Sequence, residues 1–293
     1  KAGQKLDVKV VDAGNEASFK NSLTQINQNN TDLIIGPFFK SNVLEVLDYV
    51  KTQKIPVVAP FANSPELRNY SNLVIIETEQ SVFADRIVKE VSLAYSDQKI
   101  YIVADADKTY ANYMKKQLEG QLKNANITVV NSSADIQLDT NMMTGQTAPV
   151  IAILANDNDD AGSDFSKRII DLAKETSGMK SFSMYYHPSF EKNIAELSKA
   201  SLVYLMDRKI NTDGDFEKEV LADYKKKYCK APSKYAVIGF DVVNDMLTRE
   251  NSKGELFKQM NKPQTQLATK FEFVRNKNGA YVNQGYRVVR LVP

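Results

Sequence analysis

The sequence predicts an α/β protein made of two successive parallel-sheet units flanked by helices. Short apolar runs alternate with segments of helical periodicity from Thr31 to Met206. Polar Ser96-Asp97-Gln98 interrupts the series once, and the pattern then repeats. A tail of hairpin character closes the chain. Strands alternating with amphipathic helices imply a parallel sheet covered on both faces. A length of 293 residues accommodates two moderate domains.

The elements follow in order. Residues 6–11, LDVKVV, form a β-like run closed by the turn Asp12-Ala13-Gly14-Asn15. A helix through Ile26 presents Phe19, Leu23 and Ile26 on one face. Residues 33–35 are a short strand ending at Gly36-Pro37. Val43, Val46, Leu47 and Val50 then repeat at helical spacing. Strands at 55–59 and 73–76 follow, the first broken by Pro60, and a helix covers 79–94 with Val82, Phe83, Ile87, Val91 and either Leu93 or Ala94 inward. The second series reads strand 99–104, helix 110–122, strand 127–130 and strand 150–154. It continues with helix 165–174, strand 182–186, helix 190–197 and strand 202–206. Residues 135–147 lack periodicity, and 156–160 form an acidic turn. Helices at 216–228 and 235–249 precede two β-like runs, 267–274 and 281–291. These flank Asn276-Lys277-Asn278-Gly279, a hairpin turn signal. Crossings near 96–98, 231–233 and 261–267 divide the chain into one lobe of 1–97 with 233–266 and another of 98–232 with 267–293.

Composition narrows the function. Hydrophobic residues make up 43% and charged residues 25%, as in an ordinary globular protein. A net charge of +2 gives no whole-protein field for nucleic acid or an anionic membrane. Lys225-Lys226-Lys227 reads as a solvated helix face. No apolar run approaches the ~20 residues of a membrane helix. The single cysteine, Cys229, allows no internal disulfide and does not fix the compartment. One histidine and one cysteine cannot supply a usual zinc site. The string NDNDDAGSD lacks the ligand spacing of a calcium loop. G-x-G-x-x-G and G-x-x-x-x-G-K-[ST] are both absent, so nothing signals a nucleotide cofactor. With no nucleophile–base pair either, the expectation is a non-enzymatic protein without cofactor or metal.

Ligands of parallel α/β sheets bind outside the carboxyl ends of the strands. The loops Gly36-Pro37-Phe38-Phe39-Lys40-Ser41 and Pro60-Phe61-Ala62-Asn63-Ser64 occupy such ends and are the leading candidate site. Phe38, Phe39, Phe61, Tyr110, Tyr185 and Tyr186 also fall near strand ends, where aromatic walls suit a small-molecule cleft. His187, the only histidine, follows the predicted strand 182–186. It is either a ligand contact or a plain loop residue. Lys40 is either an anion-binding group or a solvated lysine at a helix start.

Several segments carry a resemblance to a known family. Asp32-Leu33-Ile34-Ile35-Gly36-Pro37, the stretch PVVAPFANSPEL at 56–67 and IYIVADADKTYA at 100–111 come in the order and spacing of one family. Asp223-Tyr224, Tyr228, Ala231-Pro232 and Tyr235 to Asp241 complete the set. Together they resemble the type I periplasmic-binding-protein fold, in particular the amino-acid (Leu/Ile/Val) substrate-binding proteins of ABC transporters. The likeness covers essentially the whole chain but starts late: the family's opening strand and helix precede the part matching Leu6. Further residues upstream of Lys1 are therefore expected. The resemblance implies a two-lobe protein of the bacterial periplasm or cell envelope. It would take an amino acid or short peptide into an inter-lobe cleft and partner an ABC permease. The implied contacts are Lys40 or Ser41 for a carboxylate, Phe61, Ala62 and Asn63 from the next loop, and Tyr110 from the second lobe. Asp207 is placed as the acid for an ammonium group. Lys40 stands where the family has a small hydroxyl residue, Phe61 where it has a small residue, and Ala111 where it has glycine. Such departures also occur in non-transport envelope modules of this fold, among them lipoprotein activators of peptidoglycan synthases and modules that follow LysM repeats. These imply a peptidoglycan-associated partner instead.

Overall fold

The computed structural model describes residues 6–250, 256–277 and 279–292. Lys1 and Asn278 of the predicted turn lie outside them. The chain divides into two compact units, Lys1–Glu79 with Asp207–Tyr286, and Gln80–Met206 with Arg287–Pro293.

The first unit opens with α1 (Glu16–Leu23), β1 (Ile34–Ile35), α2 (Lys40–Tyr49), β2 (Val57–Ala59) and β3 (Leu73–Ile75). The second runs through α3 (Gln80–Ala94), β4 (Lys99–Val103), α4 (Thr109–Gln121), β5 (Ile127–Val130) and β6 (Val150–Leu154). It continues with α5 (Asp159–Glu175), β7 (Lys180–Ser183), α6 (Pro188–Lys192), α7 (Ile194–Lys199) and β8 (Leu202–Met206). The chain returns to the first unit for α8 (Asp215–Tyr228), α9 (Lys234–Arg249), α10 (Leu256–Gln259), β9 (Gln264–Thr265) and β10 (Lys270–Phe271). The hairpin strands β11 (Phe273–Arg275) and β12 (Tyr281–Asn283) follow, and β13 (Arg287–Arg290) ends the chain in the second unit.

The first sheet has the order β1-β2-β3-β12-β11, parallel except for the β11–β12 hairpin. The second has the order β13-β8-β7-β6-β4-β5, with only β13 antiparallel. Strands β2, β3 and β6 are buried at every residue, as a sheet covered on both faces requires. In the first unit, alternation assigns Val57, Ala59, Leu73 and Ile75 to the layer of Phe19, Val43 and Leu47 from α1 and α2. Val58, Val74 and Ile76 face Ile238, Val242 and Met246 of α9.

Helix α9 also carries buried charge. Asp245 and Arg249 are both fully buried, and the Arg249 Nε donates to Asp245 Oδ2 at 2.6 Å. Arg249 Nη1 donates to the carbonyls of Gln259 and Lys262 at 2.6 and 2.9 Å. Its guanidinium lies over the Phe273 ring, 5.1 Å from the centroid. One turn earlier, Asp241 Oδ2 accepts from the backbone N–H groups of Ala268 and Thr269 at 3.0 and 2.8 Å. The helix thus holds the chain from 259 to 269 through side chains.

Several expectations need correction. Residues 6–11 form no strand: Leu6, Val8 and Val10 are 52%, 73% and 89% exposed, with no neighbouring strand among the described residues to satisfy their backbone. The unit boundaries fall at 79/80, 206/207 and 286/287 rather than near 97, 232 and 266. Strand partners explain the shift. The hairpin 273–283 joins β3 of the first sheet, so 267–286 does not belong with the second unit, and only β13 does. The predicted second hairpin arm, 281–291, is therefore shared between two sheets. The acidic turn at 156–160 ends inside α5, because Asn158 caps that helix through hydrogen bonds from the N–H groups of Asp160 and Ala161. Strand β7 ends at Ser183, whose hydroxyl accepts from the Tyr185 N–H and donates to the Tyr185 carbonyl. The helix expected at 190–197 is two short ones, broken at Asn193.

Candidate functional site

The carboxyl ends of β1, β2 and β3 gather the charged loops of the first unit. β1 and β2 are in parallel register, with Ile35 beside Val58, so their following loops are neighbours. Gly36 turns the first with φ +104, a conformation that side chains rarely adopt, while its N–H still donates to Val58. Helix α2 then starts at Lys40. Its N-cap residue, Phe39, offers no side-chain acceptor, so the first-turn N–H groups face outward as donors. Ser41 donates its hydroxyl to Asn42 Oδ1 at 3.0 Å. Lys40 Nζ lies 2.7 Å from Glu66 Oε2, with both side chains about half exposed at 49% and 55%. Such an exposed pair contributes roughly 0–1 kcal/mol and yields readily to a competing anion.

The second loop is mostly aromatic wall and scaffold. Phe61 meets Phe38 edge to face, with centroids 5.0 Å apart, and Tyr235 at 6.0 Å. Ala62 turns inward into the core under the sheet, so it is no ligand contact. Asn63 is committed to structure: its Nδ2 donates to the Glu77 carbonyl at 3.2 Å and its Oδ1 accepts from Arg68 at 3.2 Å. Arg68 in turn pairs with Glu79 at 2.9 Å.

Asn63 thereby links the aromatic loop to the segment after β3. Glu77 pairs with Arg208 at 3.0 Å. Half-buried Asp207 stands beside that pair. Burial above all, and then the neighbouring Glu77 carboxylate, push the Asp207 carboxyl up to about 6, against the opposing charge of Arg208. Asp207 therefore adds a third charge beside the Glu77–Arg208 pair. Asn283 fixes this edge from the β12 side. Its Nδ2 donates to the Ile76 carbonyl at 3.2 Å, and its Oδ1 accepts from the N–H groups of Glu272 and Gly285 at 2.9 and 3.0 Å. Sequence reasoning missed Arg68, Glu77 and Arg208. Their only sequence signal was a position just after strands β3 and β8 or in the loop following β2.

Two candidates belong to the second unit. Tyr110, half-buried, is the second residue of α4, the helix that follows β4. His187 is not at a surface. It has no exposed side chain, and its ring stands 5.2 Å from Phe190. It lies so close to Gly162 of α5 that a Cβ there would come within 2.2 Å of the ring. Nε2 donates to the Asn156 carbonyl at 3.1 Å, while Nδ1, 3.6 Å from Asp159, has no hydrogen bond. The strand ends too early to carry His187 to its rim, and Pro188 starts a helix that folds the ring beneath α5. His187 is thus a core residue rather than a ligand contact. Burial holds its imidazole below the ordinary 6.5. The unfolded chain therefore protonates first, and stability falls as pH drops through 6.5 towards the lower folded value. Hydrogen exchange of β6 and α5 amides should quicken between about pH 7 and 5.5. Exchange protection that stays constant over this range, after correction for intrinsic rates, would contradict the assignment.

Among the described residues, no three His, Cys, Asp or Glu side chains gather closely enough to hold a metal ion. None of the described helices is long and apolar enough to cross a membrane. No protein-family model matches the chain, and no curated protein sequence is significantly similar to it. Solved structures are similar. A branched-chain amino acid ABC transporter periplasmic ligand-binding protein from Burkholderia xenovorans aligns at 12% identity, over 92% of this chain and 76% of that one, with a TM-score of 0.53. A protein assigned to a branched-chain amino acid ABC transporter of Rhodospirillum rubrum aligns at 12% identity over 96% and 88%, with a TM-score of 0.62. Haemophilus influenzae LpoA aligns at 12% identity over 94% of this chain but only 51% of that one, with a TM-score of 0.60. At such identity the likeness establishes architecture.

Proposed function

We infer, from a type I periplasmic-binding-protein fold with a half-buried carboxyl, Asp207, beside the Glu77–Arg208 pair, that this chain is a non-enzymatic extracytoplasmic binding protein. Its ligand is a small zwitterion, an amino acid or short peptide. The observation that carries the reading is that the loop after β2 links two opposite recognition chemistries, through Glu66 to Lys40 on one side and through Asn63 to the Glu77 segment beside Asp207 on the other. The uncapped start of α2, with Lys40 and Ser41, suits a carboxylate. Asp207, beside the satisfied Glu77–Arg208 pair, suits an ammonium group. Phe61 and Phe38 supply an apolar wall. The partner in this reading is an ABC permease, and the place of work is the periplasm or cell envelope.

The test is a thermal-shift and calorimetric screen of amino acids, dipeptides and muropeptides. A ligand at a hundred times its Kd adds about 2.7 kcal/mol of stability. Lys40→Ala is expected to weaken the ligand at least tenfold, because a charge-assisted hydrogen bond contributes about 1.5–3 kcal/mol. The variant's own melting temperature should barely move, since only an exposed ion pair is lost. Unchanged affinity in Lys40→Ala would remove this lysine from the site.

A second reading is a non-transport envelope module linked to peptidoglycan. The Lys40–Glu66 pair and the packing of Phe61 against Phe38 and Tyr235 favour it, because both already occupy the loops that would receive a ligand. Similarity to LpoA supports the same alternative. A screen in which no small molecule shifts the melting temperature, with the chain retained on purified peptidoglycan, would decide for the module.

A further inference from the structure

We propose that the α8–α9 corner of the first unit, residues 224–235, docks on an anionic phospholipid surface. The stretch YKKKYCKAPSKY holds five lysines, Lys225, Lys226, Lys227, Lys230 and Lys234, and no acidic residue. The whole chain carries only +2, so the remainder is net negative and positive charge is concentrated here. All five lysines are exposed, and α8 buries none of its residues. A helix with no buried residue contributes little to the core, which leaves its composition free to serve a surface.

The helix dipole accounts for lysines in the last turn of α8, opposite Asp215 and Glu217 in the first. It does not account for Lys230 and Lys234, which continue the charge beyond the helix, nor for the aromatics among them. Tyr228 and Tyr235 are 49% and 60% exposed. Tyr224 and Tyr228 lie one turn apart with centroids 4.5 Å apart, and helical geometry sets Lys225 and Lys227 on either flank of that stripe. Lys227 and Lys234 lie over the Tyr228 and Tyr235 rings at 5.3 and 5.1 Å. Tyr224, Pro232 and Ala236 line one shallow hollow, which brings the end of α8 to the start of α9. Exposed tyrosines flanked by lysines match the two layers of a lipid headgroup region. Amphipathic rings settle at the interface, and ammonium groups reach the phosphates along aliphatic stems. Nucleic acid is a poorer fit, since no arginine is present for bidentate phosphate contacts.

The experiment is co-sedimentation of the full chain with vesicles of phosphatidylcholine alone and of phosphatidylcholine mixed with phosphatidylglycerol. Binding is expected only to the mixed vesicles, and it should disappear at roughly 0.5 M salt, where the Debye length is only a few ångströms. Each lysine near such a surface is worth roughly fivefold in partitioning, so Lys225→Glu/Lys226→Glu/Lys227→Glu should lose about a hundredfold or more. The neutral triple Lys→Gln variant should fall between this variant and the parent. A matched triple at the exposed lysines Lys51, Lys89 and Lys167 should bind like the parent. Melting temperatures within error of the parent would show that the α8 variants fold. The proposal is overturned if the parent ignores phosphatidylglycerol, if the α8 variants bind as well as the parent, or if the matched triple loses as much. Retention on heparin or DNA without vesicle binding would overturn it as well, pointing to a polyanion of another class.

Discussion

Arg249→Ala is expected to destabilise the first unit by about 3–5 kcal/mol, the largest effect of any single substitution considered. The loss has three sources. Asp245 is left as a fully buried carboxylate without its counter-ion. The carbonyls of Gln259 and Lys262 lose the donor that holds them to α9. The Phe273 ring loses the guanidinium packed on its face. The first is the penalty for an unsatisfied buried charge, so a partner deletion should rescue much of the loss. Asp245→Leu/Arg249→Met is expected to be considerably more stable than Arg249→Ala, because no charge remains inside. Urea unfolding followed by hydrogen exchange at α9 amides measures both. A loss below about 1 kcal/mol for Arg249→Ala would mean that the pair is solvated and the core described around it is wrong.

Asp207→Asn is expected to raise stability while lowering affinity. The folded-state carboxyl of Asp207 titrates at about 6, above its ordinary 3.8. The folded protein therefore holds the proton more tightly than the unfolded chain. Stability is full below 3.8 and declines as pH rises to about 6, beyond which the full cost of the charge is carried. Asparagine removes that charge. The variant should exceed the parent by about 1–3 kcal/mol at pH 7.5 and match it near pH 4. A zwitterionic ligand should bind the variant at least tenfold more weakly, since the ammonium loses its counter-charge. In the proposed reading, the carboxyl is kept at a cost to stability because the ligand's ammonium group requires it. If Asp207→Asn stabilises the fold and leaves ligand affinity untouched, the ammonium assignment fails while the electrostatic account stands.

The parallel-sheet series was legible because its cause is local. Runs such as VVAP at 57–60 and VIAIL at 150–154 are apolar on every residue, and both strands prove to be buried on both faces. Unit boundaries were not legible, because they follow from strand partners distant in sequence: β12 lies beside β3, and β13 beside β8. The strand expected at 6–11 rested on composition alone, and composition does not supply a hydrogen-bonding neighbour. For the site, the rule of strand carboxyl ends named the loops after β1 and β2, and the resemblance named Asp207, whose carboxyl is held up by burial. The rule could not tell an outward side chain from an inward one. Ala62 and His187 both sit near strand ends in sequence, yet one lies in the core under its sheet and the other under α5. The ion pairs Arg68–Glu79 and Arg208–Glu77 join residues 11 and 131 positions apart. No local pattern reports such a pairing.

The position of β12 sets an order of events during synthesis. This strand supplies the fourth place in the first sheet, and its Asn283 reaches back 207 positions to the Ile76 carbonyl. A nascent chain that has already released β1, β2 and β3 therefore carries a parallel sheet with an open edge at β3. That edge is filled only when Tyr281–Asn283 emerge. Contacts of such long range slow folding, and an unpaired inner strand invites association with other chains. The second unit, by contrast, has five of its six strands in one uninterrupted stretch, Lys99 to Met206. It can fold before the first unit closes. Vectorial synthesis thus favours an inverted order, in which the second unit matures first and the first unit waits for β12.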